Sequence, residues 1–119
     1  MDNDTSTAAP LPATIRGFLD AQESRDEEKA LPLLTEDAVI VDVADGGEVF
    51  RGDDGLRRFI VEAGTQFTYT TRLTGVERDG DVWVVGHHLE GDFPGGTADL
   101  DYRFTLDGDR IARLDVVLP

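Results

Sequence analysis

The stretch VWVVGHHLEGDFPGGTADLDYRFTL, residues 82–106, decides the fold because it places two long strand-like runs on either side of a glycine-rich turn. Pro94 and Gly95 suit the two central positions of a type II turn, the second of which needs a positive φ. A phosphate-binding loop would instead need a following helix and usually a lysine. Here the following run is strand-like, and Glu90 and Asp92 would repel an anion. The pattern therefore predicts an antiparallel hairpin.

Two further strand-like runs flank this hairpin. FTYTTRLTGVE (67–77) precedes it and RIARLDVVL (110–118) follows it, and the turns RDGD and DGD separate the runs. Short turns of this kind join antiparallel neighbours. The C-terminal half of the chain is therefore predicted to be a four-stranded meander.

Upstream of residue 67 the pattern is mainly helical. PATIRGFLDAQES (12–24), with Ile15, Phe18, Leu19 and Gln22 at helical spacing, and FRGDDGLRRFIVEAG (50–64), which ends at Gly64, each predict a helix. Between them, EEKALPLLTED (27–37) predicts a helix capped by Asp26 and kinked or shortened by Pro32. The β-branched run AVIVDVAD (38–45) predicts one strand. Helices followed by a meander indicate an α+β domain with helices on one face of a curved sheet.

The composition restricts the classes of function. The chain has 119 residues, so we expect one domain over residues 11–119, preceded by a disordered tail over residues 1–10. Its 25 acidic and 11 basic residues give a net charge of −14, which disfavours binding to nucleic acid or to an anionic membrane. The absence of cysteine excludes disulfides and thiolate zinc sites. With neither a signal-like segment nor a membrane-length apolar run, a cytoplasmic protein is expected.

Alternation along the predicted strands separates an inner face from an outer face. In the run 82–89 the bulkier set, which includes His87, is expected inside and His88 outside, with the opposite assignment as the alternative. Tyr102 falls on the inner face of the next run, where its hydroxyl needs either a core hydrogen bond or a ligand. The predicted inner residues of the last three runs are Trp83, Val85, His87 and Leu89; Ala98, Leu100, Tyr102, Phe104 and Leu106; and Ala112, Leu114, Val116 and Leu118.

Asp42 is the one charge within the apolar stretch AVIVDVA. A buried carboxylate is costly unless it is paired, so Asp42 is either a structural or edge residue or a group kept for chemistry. His87 and His88 are adjacent and point to opposite faces of a strand, so they cannot bind one metal ion together. No third ligand has suitable spacing, and we predict no metal site.

The order of elements, together with LLTEDAVIVDVADGGEVFRGDDGLRRFI (33–60), resembles the nuclear-transport-factor-two-like superfamily. That superfamily includes ketosteroid isomerases, SnoaL-like polyketide cyclases, limonene epoxide hydrolases and scytalone dehydratases. The resemblance runs from Leu11 to Leu118, and the later strands look like a bacterial SnoaL-like subgroup. It implies a cone-shaped, curved, mostly antiparallel sheet packed against three N-terminal helices, a cystatin-like roll. It also implies a homodimer formed sheet to sheet, for which Val82, Val84 and Val117 are the outward apolar candidates.

Against ketosteroid isomerase, the resemblance implies roles for single residues. Asp42 falls on the general-base aspartate of that enzyme. The first-helix tyrosine, a donor to the oxyanion, falls on Phe18, which has no hydroxyl. The second donor falls near Asp101 or Tyr102, and the inward parity of Tyr102 selects it. Since half of the oxyanion hole is missing, efficient steroid isomerisation is not expected.

Two functional hypotheses follow from the resemblance. The first is a cofactor-independent isomerase, cyclase or lyase for a small hydrophobic carbonyl compound. In it Asp42 removes a proton, Tyr102 stabilises the enolate oxygen and His87 relays protons, without a metal or redox cofactor. The second is a module of the same fold that binds a small molecule or forms a dimer without a reaction. The expected pocket residues are Phe18, Phe59, Tyr69, Trp83, Leu100 and Val116.

Overall fold

A computed structural model of the protein describes residues 11–62 and 67–119, except for the side chain of Asp45. Its elements are α1 (Ala13–Glu23), α2 (Glu27–Ala30), β1 (Leu34–Asp42), β2 (Glu48–Arg51), α3 (Gly52–Glu62), β3 (Tyr69–Asp79), β4 (Val82–Gly91), β5 (Thr97–Asp107) and β6 (Arg110–Val117). The longest helices, α1 and α3, have 11 residues each, and no helix in the described ranges is long and apolar enough to cross a membrane. The predicted tail over residues 1–10 and the predicted helix stop at Gly64 lie outside the described residues.

The six strands form one open sheet in the order β2-β1-β6-β5-β4-β3. Every neighbouring pair is antiparallel except β1 and β6, which are parallel. The predicted α+β class, with a mostly antiparallel curved sheet packed against three helices, is confirmed. β6 lies between β1 and β5 and so joins the β1–β2 pair to the meander.

The turn between β4 and β5 has the predicted geometry. The Gly96 N–H donates to the Phe93 carbonyl oxygen at 2.9 Å, and Gly95 has φ 90°, so Pro94 and Gly95 occupy the central positions of a type II turn. The hairpin fixes the pairing of Leu89 with Ala98, and through it the faces of both strands.

The second helix is shorter than predicted. Asp26 does cap it, since its Oδ1 accepts the Lys29 N–H at 3.2 Å, but α2 ends at Ala30. Leu31–Leu33 form a single 3₁₀ turn that contains Pro32, which has no N–H to continue an α-helix. Residues 34–37, predicted to be helical, are instead the first part of β1.

The strand predicted over residues 38–45 is displaced toward the N-terminus. β1 ends at Asp42, and Val43–Asp45 form a 3₁₀ turn. Gly46 and Gly47, at φ 82° and 78°, turn the chain into β2, which was not predicted. β2 has only four residues, and only Phe50 among them is buried, so it carries almost no alternation signal.

The core fills the space between the helices and one face of the sheet. Phe18 of α1 meets Phe104 of β5 edge to face, with 5.9 Å between ring centroids. The inner-face prediction is confirmed for Val85, Phe104, Leu114 and Val116, which are all buried.

The inner-face prediction is wrong at two positions of the last predicted run. An irregularity between Thr105 and Leu106 pairs Leu106 with Ile111, so Ile111 rather than Ala112 is fully buried. Such a bulge reverses the parity of every residue beyond it. Leu118 lies past the end of β6 and is 64% exposed.

Candidate functional site

The predicted base and acid lie on one row across the sheet. The register pairs Asp42 of β1 with Val116 of β6, and Val116 with Tyr102 of β5. Directly paired residues point to the same face, so Asp42 and Tyr102 flank Val116 on the face that carries the core. Two strand spacings separate their backbones by about 10 Å. The buried side chain of Val116 lies between them.

The Tyr102 hydroxyl reaches from the sheet to the first helix. Gln22 Nε2 donates a hydrogen bond to Tyr102 Oη at 3.2 Å. Burial raises the pKa of Tyr102 to about 12; the Gln22 hydrogen bond opposes this rise, Tyr69 and Asp42 add to it, and the charge of Arg25 opposes it. At neutral pH the hydroxyl is protonated and can donate a hydrogen bond to a ligand oxygen.

His87 packs against Tyr102 on the inner face, as predicted. The two rings stack with centroids 4.0 Å apart, and His87 is only 5% exposed. Its Nδ1 lies 3.0 Å from the Val85 carbonyl oxygen, which can only accept, so Nδ1 carries the proton. Burial lowers the pKa of His87, against the effects of the Val85 bond and of Asp101. The neutral ring therefore has its lone pair on Nε2, where it can accept a proton.

His88 lies on the opposite face, in a cluster of surface charges. Its Nδ1 is 2.7 Å from Asp99 Oδ1 and its Nε2 is 3.0 Å from Glu90 Oε2. These two carboxylates, Asp99 first, raise the pKa of His88. Within residues 11–62 and 67–119, no group of three or more His, Cys, Asp or Glu side chains is arranged to hold a metal ion.

The residues expected to line the pocket divide into two groups. Phe18, Phe59 and Val116 are core residues with at most 2% exposure. Tyr69, Trp83 and Leu100 are partly buried. Phe59 packs on Phe50 of β2, at one edge of the sheet, whereas Tyr69 lies on β3 at the other edge. The structure therefore distributes these six residues along the whole inner face.

The helices pack mainly on one half of the inner face. Their principal contacts with the sheet are made to β1, β2 and β6. On the β3–β5 half, Leu100, His87 and Leu73 form the next row beyond Tyr102, and Leu73 is 36% exposed. At the end of this half, Tyr69 meets Phe93 edge to face at 6.4 Å. We call this half of the inner face, from Tyr102 to β3, the candidate cleft; Val85 and His87 within it are buried.

Two grooves on the helical side lie apart from this cleft. One, of about 260 Å³, lies between α2 and α3 and is lined mainly by charged residues. The other, of about 300 Å³, lies between α1 and the segment from Lys29 to Leu33. Neither groove is lined by Asp42, Tyr102 or His87.

Sequence reasoning missed Gln22, which contacts Tyr102, and Arg25, whose charge acts on the pKa of Tyr102. Gln22 falls on the inner stripe of the first helix, but nothing in the pattern linked it to Tyr102, which is 80 residues away. Arg25 follows that helix in a left-handed backbone conformation, φ 58°, and its Nη1 donates to the Ile60 carbonyl oxygen at 3.4 Å. A polar residue on an otherwise apolar stripe was the available signal for Gln22; Arg25 gave none.

Comparisons with known proteins agree with this fold. A family model described as a SnoaL-like domain matches residues 15–114. A Sinorhizobium meliloti protein of known structure, provisionally assigned as a polyketide cyclase, is 30% identical to this chain. The alignment covers 89% of this chain and 94% of that one, with a TM-score of 0.77. No curated protein sequence matches the chain.

More distant structures share the fold. A Kribbella flavida protein provisionally assigned as a ketosteroid isomerase is 19% identical over 91% of this chain and 76% of its own, with a TM-score of 0.72. TerC, crystallised with polyporic acid, is 19% identical over 89% of this chain and 88% of its own, with a TM-score of 0.71. At these identities the likeness extends to the fold alone.

Proposed function

This chain belongs to the family of SnoaL-like domains, and on that basis we propose that it is a cofactor-independent isomerase or cyclase acting on a small hydrophobic carbonyl compound. The proposed substrate lies in the candidate cleft beside Tyr102 and reaches toward Asp42. The row that joins Asp42, Val116 and Tyr102 carries the proposal, because it places a carboxylate and a protonated phenol on the inner face, one on each side of Val116.

The proposed chemistry is proton transfer next to a carbonyl group. Asp42 accepts a proton from the carbon beside the carbonyl, and the electron pair of that C–H bond moves to form an enolate. Tyr102 donates a hydrogen bond to the enolate oxygen, and its high pKa keeps the proton on the phenol. In a conjugated dienolate, return of the proton from Asp42 to the far carbon gives an isomer. Attack of the enolate carbon on a second carbonyl instead closes a ring, and the alkoxide formed takes the proton from Asp42.

His87 is proposed to move the proton between positions. Its ring is neutral and its Nε2 is the acceptor, as the Val85 contact requires. It stacks on the same tyrosine that holds the enolate oxygen. A proton accepted by Nε2 can therefore pass to the substrate without entering bulk water.

A second candidate is a binding module with no reaction. The observation that favours it is Phe18, which is fully buried against Phe104 and supplies no hydroxyl beside Tyr102. One missing oxyanion donor costs an enzyme about 3 kcal/mol of transition-state stabilisation. Either function uses the same cleft, so the two differ in turnover and not in location.

Deuterium exchange distinguishes these candidates even when the product is unidentified. A ketone such as 2-tetralone is incubated with the protein in D₂O, and the loss of the signal of the protons next to its carbonyl is followed by NMR. We expect the wild type to accelerate exchange. Asp42→Asn should lower the protein-dependent rate by roughly a hundredfold or more, the usual contribution of a general base.

Asp37→Asn is the matched control, since Asp37 is an exposed carboxylate on the same strand. It should exchange like the wild type. A ketone that binds but exchanges at the buffer rate would favour the binding module. Equal acceleration by the wild type and Asp42→Asn would exclude Asp42 as the base.

We also propose that two copies pair through the outer face of the sheet. Val82, Val84 and Val117 are partly exposed there, and Arg103 and Asp115 lie opposite each other between them. Pairing of this face with itself could join apolar residues and unlike charges. Sedimentation should show a dimer for the wild type and a monomer for Val84→Glu. A wild-type monomer at high concentration would reject the pairing.

A further inference from the structure

The hydroxyl of Tyr102 keeps a hydrogen-bond donor that the described part of the chain does not use. Its Oη accepts a hydrogen bond from Gln22 Nε2 at 3.2 Å. Among residues 11–62 and 67–119, none accepts a bond from the Tyr102 O–H. A phenol has a single proton to donate, and a donor held away from water without an acceptor is costly. The Tyr102 proton is therefore available to an acceptor oxygen that enters the site.

Gln22 reaches Tyr102 from a backbone that is fixed in place. It lies one helical turn after the fully buried Phe18, on the same face of α1. The Gln22 carbonyl oxygen accepts the Arg25 N–H at 3.1 Å, a bond that closes the last turn of the helix. The Gln22 side chain is partly buried and crosses from this turn to the sheet. The amide is therefore held against Oη by both its backbone and its surroundings.

The amide nitrogen gives this hydrogen bond a direction. Nε2 can only donate, so Oη must accept, and the phenol proton is directed away from Gln22. An acceptor in the same place would take that proton and leave none for a ligand. A hydroxyl that accepts one hydrogen bond is also a stronger donor, because linked bonds polarise each other. Burial raises the pKa of Tyr102 to about 12, and the Gln22 bond opposes that rise, in agreement with this direction.

We propose that Gln22 is a positioning residue, which holds Tyr102 as a hydrogen-bond donor and so directs the phenol proton at the carbonyl oxygen of the substrate. This inference rests on the proposed function, because it places that oxygen beside Tyr102. Gln22 acts through Tyr102 and needs no contact with the substrate. The bond strengthens when the carbonyl oxygen becomes an enolate, since hydrogen bonds to charged acceptors are the stronger ones. The site then favours ligands that present an acceptor oxygen at this position.

Two probes of nearly the same shape test the proposal. 2-Tetralone presents a carbonyl oxygen, and 2-methylidenetetralin replaces that oxygen with a CH₂ group. Their dissociation constants are measured by NMR titration for the wild type, Tyr102→Phe, Gln22→Glu and Gln22→Leu. Gln22→Glu keeps the shape of the side chain, but its carboxylate can only accept and takes the Tyr102 proton; Gln22→Leu removes the bond without offering an acceptor. Arg16→Gln, at an exposed site on α1, is the control for the change in net charge.

The quantity compared is the dissociation constant of the CH₂ analogue divided by that of the ketone. We expect this ratio to fall roughly fivefold in Tyr102→Phe, the scale of one neutral hydrogen bond. In Gln22→Glu it should fall at least as far, while the affinity for the analogue stays the same. Gln22→Leu should lie between Gln22→Glu and the wild type, and Arg16→Gln should match the wild type.

Three results would overturn the proposal. The first is an equal ratio in the wild type and Gln22→Glu. The second is a ratio in Gln22→Leu as low as in Gln22→Glu, since loss of the bond alone would then explain both. The third is a wild type that binds neither probe, which refutes the candidate cleft as well. A wild type that gives the expected ratios but does not accelerate deuterium exchange of 2-tetralone would contradict the proposed reaction and leave the role of Gln22 standing.

Discussion

Tyr102→Phe removes a single hydroxyl from the site, because phenylalanine keeps the ring that stacks on His87. At neutral pH the variant loses the hydrogen bond from Gln22, worth about 1 kcal/mol of the free energy of unfolding. The pKa of Tyr102 is raised from 10.0 to about 12, so its stabilising contribution is present below pH 10 and is lost as the pH rises through 12. That rise corresponds to about 3 kcal/mol. The wild type should therefore be the more stable protein at pH 7 and the less stable one at pH 12.

Urea denaturation of both proteins across this pH range measures the reversal. Tyr69→Phe is the matched control, since Tyr69 and Tyr102 are the only two tyrosines of the chain. Tyr69 is partly exposed on the edge strand β3, and its replacement should not reverse the order of stability. A phenolate absorbance titration gives an independent reading, in which Tyr102→Phe removes the step near pH 12. If the reversal is absent, or follows Tyr69→Phe instead, the assignment of the buried, protonated hydroxyl to Tyr102 is wrong.

Two further predictions concern the histidines and the glycines of the sheet. The ring NMR signals of His87 should titrate below pH 6.5, because burial lowers its pKa, and those of His88 above pH 6.5, because carboxylates raise its pKa. The stability that His87 contributes should be lost as the pH falls below 6.5, and the stability that His88 contributes as the pH rises above 6.5. Coinciding titrations would contradict their opposite faces. Gly91→Ala should lower the free energy of unfolding by about 1–3 kcal/mol, because the new methyl would lie 2.8 Å from the Cα of Tyr69. A methyl added at Gly75 would meet no atom within 4 Å, so Gly75→Ala should lower the free energy of unfolding less. Equal urea midpoints of the two variants would refute this packing.

The parts of the fold that could be predicted depend on local pattern. The helix over residues 12–24 shows a clear apolar stripe, and Pro94-Gly95 has turn chemistry that few other structures accept. The four long strands of the meander alternate strongly and are separated by short glycine turns, so their number and order followed directly.

The errors arise where tertiary contacts decide the outcome. Residues 34–37 are polar enough to continue a helix, yet they form the first part of β1, whose parallel pairing with β6 includes Leu34 opposite Ile111. The bulge opposite Ile111 depends on the packing of two strands and reverses a parity that was correct at Leu114. Local patterns contain no information about either contact.

The candidate site was only partly accessible to sequence reasoning. The unusual charge at Asp42 and the inward parity of Tyr102 were visible, and the family resemblance suggested their roles. Their common row is fixed by two registers, β1 with β6 and β6 with β5, that no local pattern sets. The conformation of Arg25 could not be predicted, because arginine rarely adopts a positive φ.

An NMR titration of the wild type with 2-naphthol, a neutral mimic of an enol, tests whether the inner face beside Tyr102 is the ligand site. We expect saturable shifts of the amide signals of Asp42, His87, Leu100 and Tyr102 with one common dissociation constant. The signals of Arg113, on the outer face, should not move. Shifts confined to the outer face or to the helical grooves, or no saturable shift at all, would show that the ligand site does not lie beside Tyr102.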